Sequence, residues 1–175
     1  MPVKLTFSRF QACATLAASL AYAVVPQASA QTSESIQGDN TKSNLLVAHD
    51  AIARVGQPGW ADLLADDVVF EFPYASSIGY QGKIEGKPAV LKYIAGVIAY
   101  TNGLTMFDIS STASSKKDEV YNEYKGRYGV APGVTQKYIS IQRFRNGKLI
   151  YQKEYWDPTP FVKIQAEKKA RENVK

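Results

Sequence analysis

The sequence predicts an α+β domain in which helices pack on the concave face of a strongly bent antiparallel (mixed) sheet. Three observations lead there. In the first hundred residues apolar side chains recur mainly at helical spacings of three and four. From Leu104 to Trp156 the chain is rich in β-branched and aromatic residues and reads as strand. Within that stretch Asn146-Gly147 separates two such runs, a strong hairpin signal because both residues tolerate positive φ. Helices gathered over one face of such a sheet leave a hollow between the two layers, the natural seat of a small ligand.

Taken in order, the chain opens with Lys4 and Arg9, an uncharged run from Phe10 to Val25, and Ala28-Ser29-Ala30 before Gln31. That is the pattern of a secretory signal peptide cleaved after Ala30, which implies a secreted or periplasmic protein. The run includes Gln11, Thr15 and Ser19 and is shorter than the ~20 residues needed to span a membrane. The only cysteine, Cys13, leaves with it, so the mature chain carries no disulfide and no thiol chemistry. Residues 31–42 are polar and aperiodic and read as a disordered lead-in. The domain proper is expected over 43–160, followed by a charged helix or tail over 161–175.

Ser43 or Asn44 can cap a first helix with Leu45, Leu46, Ile52 and Val55 on one broad face, ending near Gly56. Pro58 opens a short second helix holding Trp60, Leu63 and Leu64. Val68 to Phe72 is a β-rich run stopped by Pro73, and 74–85 reads as a loop. A third helix runs from Gly86-Lys87-Pro88 to about Tyr100, with Val90, Leu91, Ile94, Val97 and Ile98 in helical spacing. Strands follow over Thr105–Thr112, Glu119–Val130, Gln136–Arg145 and Lys148–Trp156.

The formal charge of +5 is carried at the ends. Lys4 and Arg9 belong to the leader, and residues 162–175 hold five basic side chains against two acidic ones. The body between is close to neutral and has no basic stripe, which argues against a nucleic-acid partner. The single histidine, His49, cannot assemble a metal site alone. Dinucleotide, P-loop, serine-hydrolase and zinc-protease motifs do not occur in the sequence.

Four segments, WADLLADDVVFEFPYA, GYQGKIEGKPAVLKYI, YNEYKGRYGV and YISIQRFRNGKLIYQKEYWDP, resemble the SnoaL-like branch of the NTF2-like superfamily. Together they span about residues 59–158. The last is most similar to the phenazine-biosynthesis A/B-type proteins, which also end in a strand, an Asn-Gly turn and a strand closing on Glu-aromatic-x-Asn-Pro. The resemblance implies the NTF2-like cone fold. It fixes no single reaction, because the superfamily includes isomerases, cyclases, epoxide hydrolases, dehydratases and binding proteins.

Glu154 is the expected catalytic residue, since the matching glutamate of the phenazine-type proteins is an acid/base. A carboxylate facing an apolar cavity is also pushed toward a neutral-range proton affinity by desolvation. The phenazine-type histidines fall near Tyr93 and Ser140 in this chain, so Glu154 lacks those partners. Expected neighbours depend on the last hairpin. A type I turn with a G1 bulge places Phe144 opposite Lys148, and Tyr138, Ser140 and Gln142 then join Gln152 and Glu154. A two-residue type I′ turn brings Ile139, Ile141 and Arg143 there instead. The polar floor of the bulged form is preferred. Tyr93, Phe72, Tyr74, Met106 and Trp156 complete the expected substrate-binding set, and Glu71 or Glu123 could turn inward beside Glu154.

The function expected is a cofactor-independent acid/base enzyme, of isomerase, cyclase or dehydratase type, acting on a small apolar cyclic or carbonyl compound. The alternatives are a binding protein without turnover and a dimeric interaction module. No cofactor or metal is expected, and no membrane contact after cleavage. A homodimer is expected through an outer sheet face bearing Leu149, Tyr151 and Tyr155.

Overall fold

Period-two burial marks residues 119–128 and 136–145, and the sheet that these strands help to build determines where everything else can lie. In the computed structural model the described residues are 29–172. All but the last two residues of the expected signal peptide lie outside them. The elements are α1 (Ser29–Ala53), β1 (Leu64–Glu71), β2 (Lys83–Glu85), α2 (Lys87–Tyr100), β3 (Leu104–Ala113), β4 (Glu119–Tyr128), β5 (Ala131–Arg145), β6 (Lys148–Trp156) and α3 (Thr159–Glu172). One six-stranded sheet runs β2-β1-β6-β5-β4-β3. Only β1 and β6 pair in parallel, so the sheet is mixed.

α1 lies over β3 and β4, and α2 over β1 and β2. Between them the core is filled by Leu64, Val68, Phe70, Val90 and Leu149, each at most 2 % exposed. Trp60, in a 3-10 turn at Trp60–Leu63, packs edge-on to Phe70 and donates its indole N–H to the Ala51 carbonyl at 2.8 Å. Trp60 thus ties α1 to the first strand.

Several expectations are corrected. The polar segment 31–42 is not a disordered lead-in but part of α1, which begins at Ser29. The helix buries Ala48, Ala51 and Ile52 and turns Leu46 out to 65 % exposure, because small residues let it approach the sheet closely. The expected 74–85 loop contains a 3-10 turn at Ala75–Ile78 and the short edge strand β2. β5 starts at Ala131 rather than Gln136, with an irregularity opposite Tyr128 absorbing the extra residues.

The last hairpin is the most informative. Asn146 and Gly147 both have positive φ, 52° and 70°, and Arg145 faces Lys148 across a two-residue turn. The type I turn with a G1 bulge is therefore not formed. The pairing shifts one step later, because Arg143 faces Tyr151 while Phe144 faces Leu149, which leaves Ile150 extra. This bulge restores the expected face but not the expected register, so that Ser140 faces Glu154 and Gln142 faces Gln152. Leu149 consequently points into the core, fully buried, and not onto the outer face.

Candidate functional site

The hollow between helices and sheet is a cavity of about 830 Å³. Ile52 of α1, Ile94 and Val97 of α2, and Phe70 of β1 give it an apolar lining. Phe161 of α3 lies at another part of the wall, within 6.0 Å of the rings of Tyr80, Tyr100, Tyr128 and Trp156. Lys83, Glu85 and Lys92 are the charged groups on the lining besides Glu154.

β6 presents Glu154 to this space, and the bulge at Ile150 aims it there. The side chain is 8 % exposed. Its Oε2 accepts a hydrogen bond from the Tyr124 hydroxyl and another from Gln152 Nε2 at 3.1 Å. Burial raises the carboxyl from 4.5 to about 7, and the two hydrogen bonds pull the other way without cancelling it. No described residue bonds to Oε1. That oxygen is not sealed off, since Gln136 Oε1 is the only buried side-chain polar atom without a partner among the described residues.

Tyrosines surround the acid. Tyr124 stacks on Tyr138 at 5.1 Å with the rings 6° apart, and the Tyr138 and Tyr128 hydroxyls lie 2.7 Å from each other. Gly126 makes this possible, because a Cβ there would stand 2.9 Å from the Tyr138 ring. Tyr93 stacks on Phe72 at 5.3 Å across the cavity lining. Burial, reinforced by the negative charge of Glu154, raises Tyr93 to about 12 and Tyr124 well above its usual 10. Burial likewise raises Tyr128 to about 12, and Tyr138 well above its usual value. All four are hydroxyl donors at neutral pH.

Behind the wall runs a chain of polar side chains, buried except for the half-buried Ser111 at its end. Ser111 Oγ donates to Asn122 Oδ1 at 2.7 Å, and Asn122 Nδ2 donates to Ser140 Oγ and Gln142 Oε1, each at 3.2 Å. Gln142 Nε2 then donates to Gln152 Oε1 at 2.7 Å.

Of the expected site residues, Phe72, Tyr93, Met106 and Tyr138 line the cavity, as do Gln152, Glu154 and Trp156. Ser140 and Gln142 do not reach it; they are fully buried in the polar chain behind it. Tyr74 is outside: the backbone turns at Pro73, and Tyr74 is 47 % exposed against Tyr155 on the opposite sheet face. Glu71 does not join Glu154, since it accepts from Tyr151 at 2.8 Å and lies 3.8 Å from Lys153 on the outer face. Glu123 is exposed. His49 lies 3.6 Å from Asp50 on the solvent side of α1. No group of three or more His, Cys, Asp or Glu comes together among the described residues. None of their helices is long and apolar enough to cross a membrane.

Sequence reasoning missed the roles of Tyr124, Tyr128 and Phe161. The first two were within reach, because they share strand parity with Asn122 and therefore one face of β4. Phe161 had no local signal, since its partners come from four other segments.

Comparison with known proteins matches residues 47–152 to the SnoaL-like domain. An uncharacterized PhzA/B-like protein of Pseudomonas aeruginosa is 29 % identical over 106 residues, which cover 57 % of this chain and 72 % of that protein. The crystal structure of a phenazine biosynthesis-related protein from Pseudomonas aeruginosa has a TM-score of 0.63 at 12 % identity, covering 75 % of this chain and 90 % of that one. The structure of TerC co-crystallized with polyporic acid has a TM-score of 0.60 at 16 % identity, covering 70 % of this chain and 97 % of that one.

Proposed function

Because the chain belongs to the SnoaL-like family, we propose that it is a pocket enzyme in which Glu154 moves a proton on a small, mostly apolar carbonyl compound. The observation that carries this reading is a buried carboxyl on the wall of an apolar cavity, raised to about 7 and with one oxygen free toward the ligand. A group so placed gives and takes protons with nearly equal ease near neutrality. The Tyr128–Tyr138 pair supports the choice of a carbonyl. Two hydroxyls that share one hydrogen bond keep one O–H hydrogen for an outside acceptor. A ligand oxygen held there would stabilise the enolate formed when Glu154 removes a proton from the adjacent carbon. Isomerisation, dehydration and cyclisation of a carbonyl compound can each begin with that step, and it requires only the side chains named.

The test is hydrogen exchange in D2O. Incubated with a panel of cyclic ketones, the protein should load deuterium next to the carbonyl faster than buffer does, as read by mass spectrometry. Ligands that bind without any exchange would favour a carrier of the same fold.

We also propose export and dimerisation. Tyr121 and Ile139, 41 % and 51 % exposed, lie on the convex sheet face with Tyr155, and a second copy would cover them. The purified native protein should begin at Gln31, trimming two residues from α1, and run as a dimer in size-exclusion with light scattering. An intact Met1 would remove export, and a monomer would remove the interface.

A further inference from the structure

The cavity-facing side of β4, β5 and β6 holds an arrangement that the proton-transfer reading does not require. β5 turns Gln136, Tyr138, Ser140 and Gln142 inward while Ile139 and Ile141 face outward, the reverse of the usual preference. Three of the amides, Asn122, Gln142 and Gln152, are at most 7 % exposed. Apolar side chains of similar volume would fill the same space without needing partners.

Their hydrogen bonds all run in one direction. A carboxylate can only accept, so Gln152 must offer Glu154 its N–H group. Its oxygen then takes the N–H of Gln142, the oxygen of Gln142 takes the N–H of Asn122, and the oxygen of Asn122 takes the Ser111 hydroxyl. Each amide dipole points its positive end toward Glu154, and the members of such a chain polarise one another. Tyr124 donates to the same carboxylate oxygen, so Oε2 is occupied by two donors.

We infer that Ser111, Asn122, Gln142 and Gln152 are a positioning chain that holds Glu154 Oε2 as a permanent acceptor and confines its transferable proton to Oε1, the oxygen open to the cavity. A proton on Oε2 would need an acceptor: either the Tyr124 hydroxyl would turn its own hydrogen away from the carboxyl, or Gln152 would present its oxygen and every amide behind it would turn over. Protonating Oε1 disturbs none of them. The chain thus selects which of two otherwise equivalent oxygens exchanges protons with the ligand, and none of Ser111, Asn122 and Gln142 touches that ligand. The inference rests on the reading of Glu154 as the acid/base.

Other groups facing Glu154 are Tyr124 and Tyr128 from β4, Tyr138 from β5 and Tyr93 from α2, all held neutral well above pH 9. α1 and α3 offer Ile52 and Phe161, which do not titrate, and Lys83, Glu85 and Lys92 share the cavity.

The test is an NMR titration of the intact protein between pH 5 and 9, following glutamate side-chain carboxyl carbons and the Asn and Gln side-chain amides. The amide signals of Gln152, Gln142 and Asn122 should all titrate with the midpoint of Glu154. In Gln142→Met, where Gln152 loses the partner that orients it, the midpoint should rise by about one pH unit, a tenfold gain in proton affinity. An Asn122 amide that stays flat in the wild type overturns the chain, and so does an unmoved midpoint in a folded Gln142→Met. If that variant does not fold, the wild-type titration decides alone. No turnover is read. A flat Asn122 alongside a Glu154→Gln variant that has lost activity would leave the acid/base reading standing without the chain.

Discussion

Glu154→Gln is expected to lower turnover by about 10²–10⁴-fold, the usual contribution of a general acid/base, while leaving ligand affinity within a few-fold of wild type. The substitution is close to isosteric. Its amide oxygen can occupy the place of Oε2 and keep the hydrogen bonds from Tyr124 and Gln152. What replaces Oε1 at the cavity is an NH2 group, which can donate a hydrogen bond but cannot release or collect a proton at neutral pH. Binding and chemistry should therefore separate. Initial rates of deuterium exchange, measured beside a ligand dissociation constant for both proteins, test this. Residual exchange above roughly a tenth of the wild-type rate, well short of the loss expected from acid/base catalysis, would assign the proton transfer to another group.

The second large effect is on stability, and its sign is opposite to that of an ordinary paired carboxylate. Glu154 has a folded value of about 7 against 4.5 in its ordinary state. Between those values the native protein binds more protons than the unfolded chain, so stability falls as pH rises through that window. Below 4.5 both states carry the neutral acid and the penalty is absent. Above 7 it is complete, at roughly 3 kcal/mol, with water in the cavity reducing it. Glu154→Gln removes the ionisation altogether. Urea unfolding should find the variant roughly 2–3 kcal/mol more stable than wild type at pH 8 and nearly equal to it at pH 4.5. Taking the difference cancels the acids that shift the other way, such as Glu119, held below its usual value by the guanidinium of Arg143 and the Ser114 hydroxyl despite its burial. A gap that does not change with pH would mean that Glu154 is not buried in its neutral form.

Much of the fold was legible because the signals were local. Asn146-Gly147 marks a hairpin for any reader, and the spacing of Val90 and Ile94 commits residues 87–100 to a helix with one buried face. The edge strand β2 was not legible, since three residues pair only because β1 already lies beside them. The N-terminal part of α1 was also missed, because its composition is that of a solvated chain.

The polar floor was anticipated for a reason that did not hold. The turn is the two-residue kind that was set aside, and the extra residue appears one step later, at Ile150. Periodicity cannot locate a bulge, which interrupts the very pattern used to read the strand. Tyr74 shows the same limit. Its parity with Phe70 and Phe72 points inward, but the strand has ended before the rule can apply.

That bulge also bears on how such a protein could change over generations. Leu149 and Gln152 both face inward although they stand three positions apart, a spacing that a regular alternation would put on opposite faces. The core half of β6 and the chemical half are thus out of phase, joined by one spare residue. Loss of a single codon there would make the alternation regular and leave both Leu149 and Glu154 facing inward. Straightening the bulge with every residue kept would instead hold Leu149 at the core and swing Glu154 to the opposite face. A lineage could thus shed its acid without losing either the glutamate or the architecture, and the pairing of this strand is then as telling as the identity of the residue at its end.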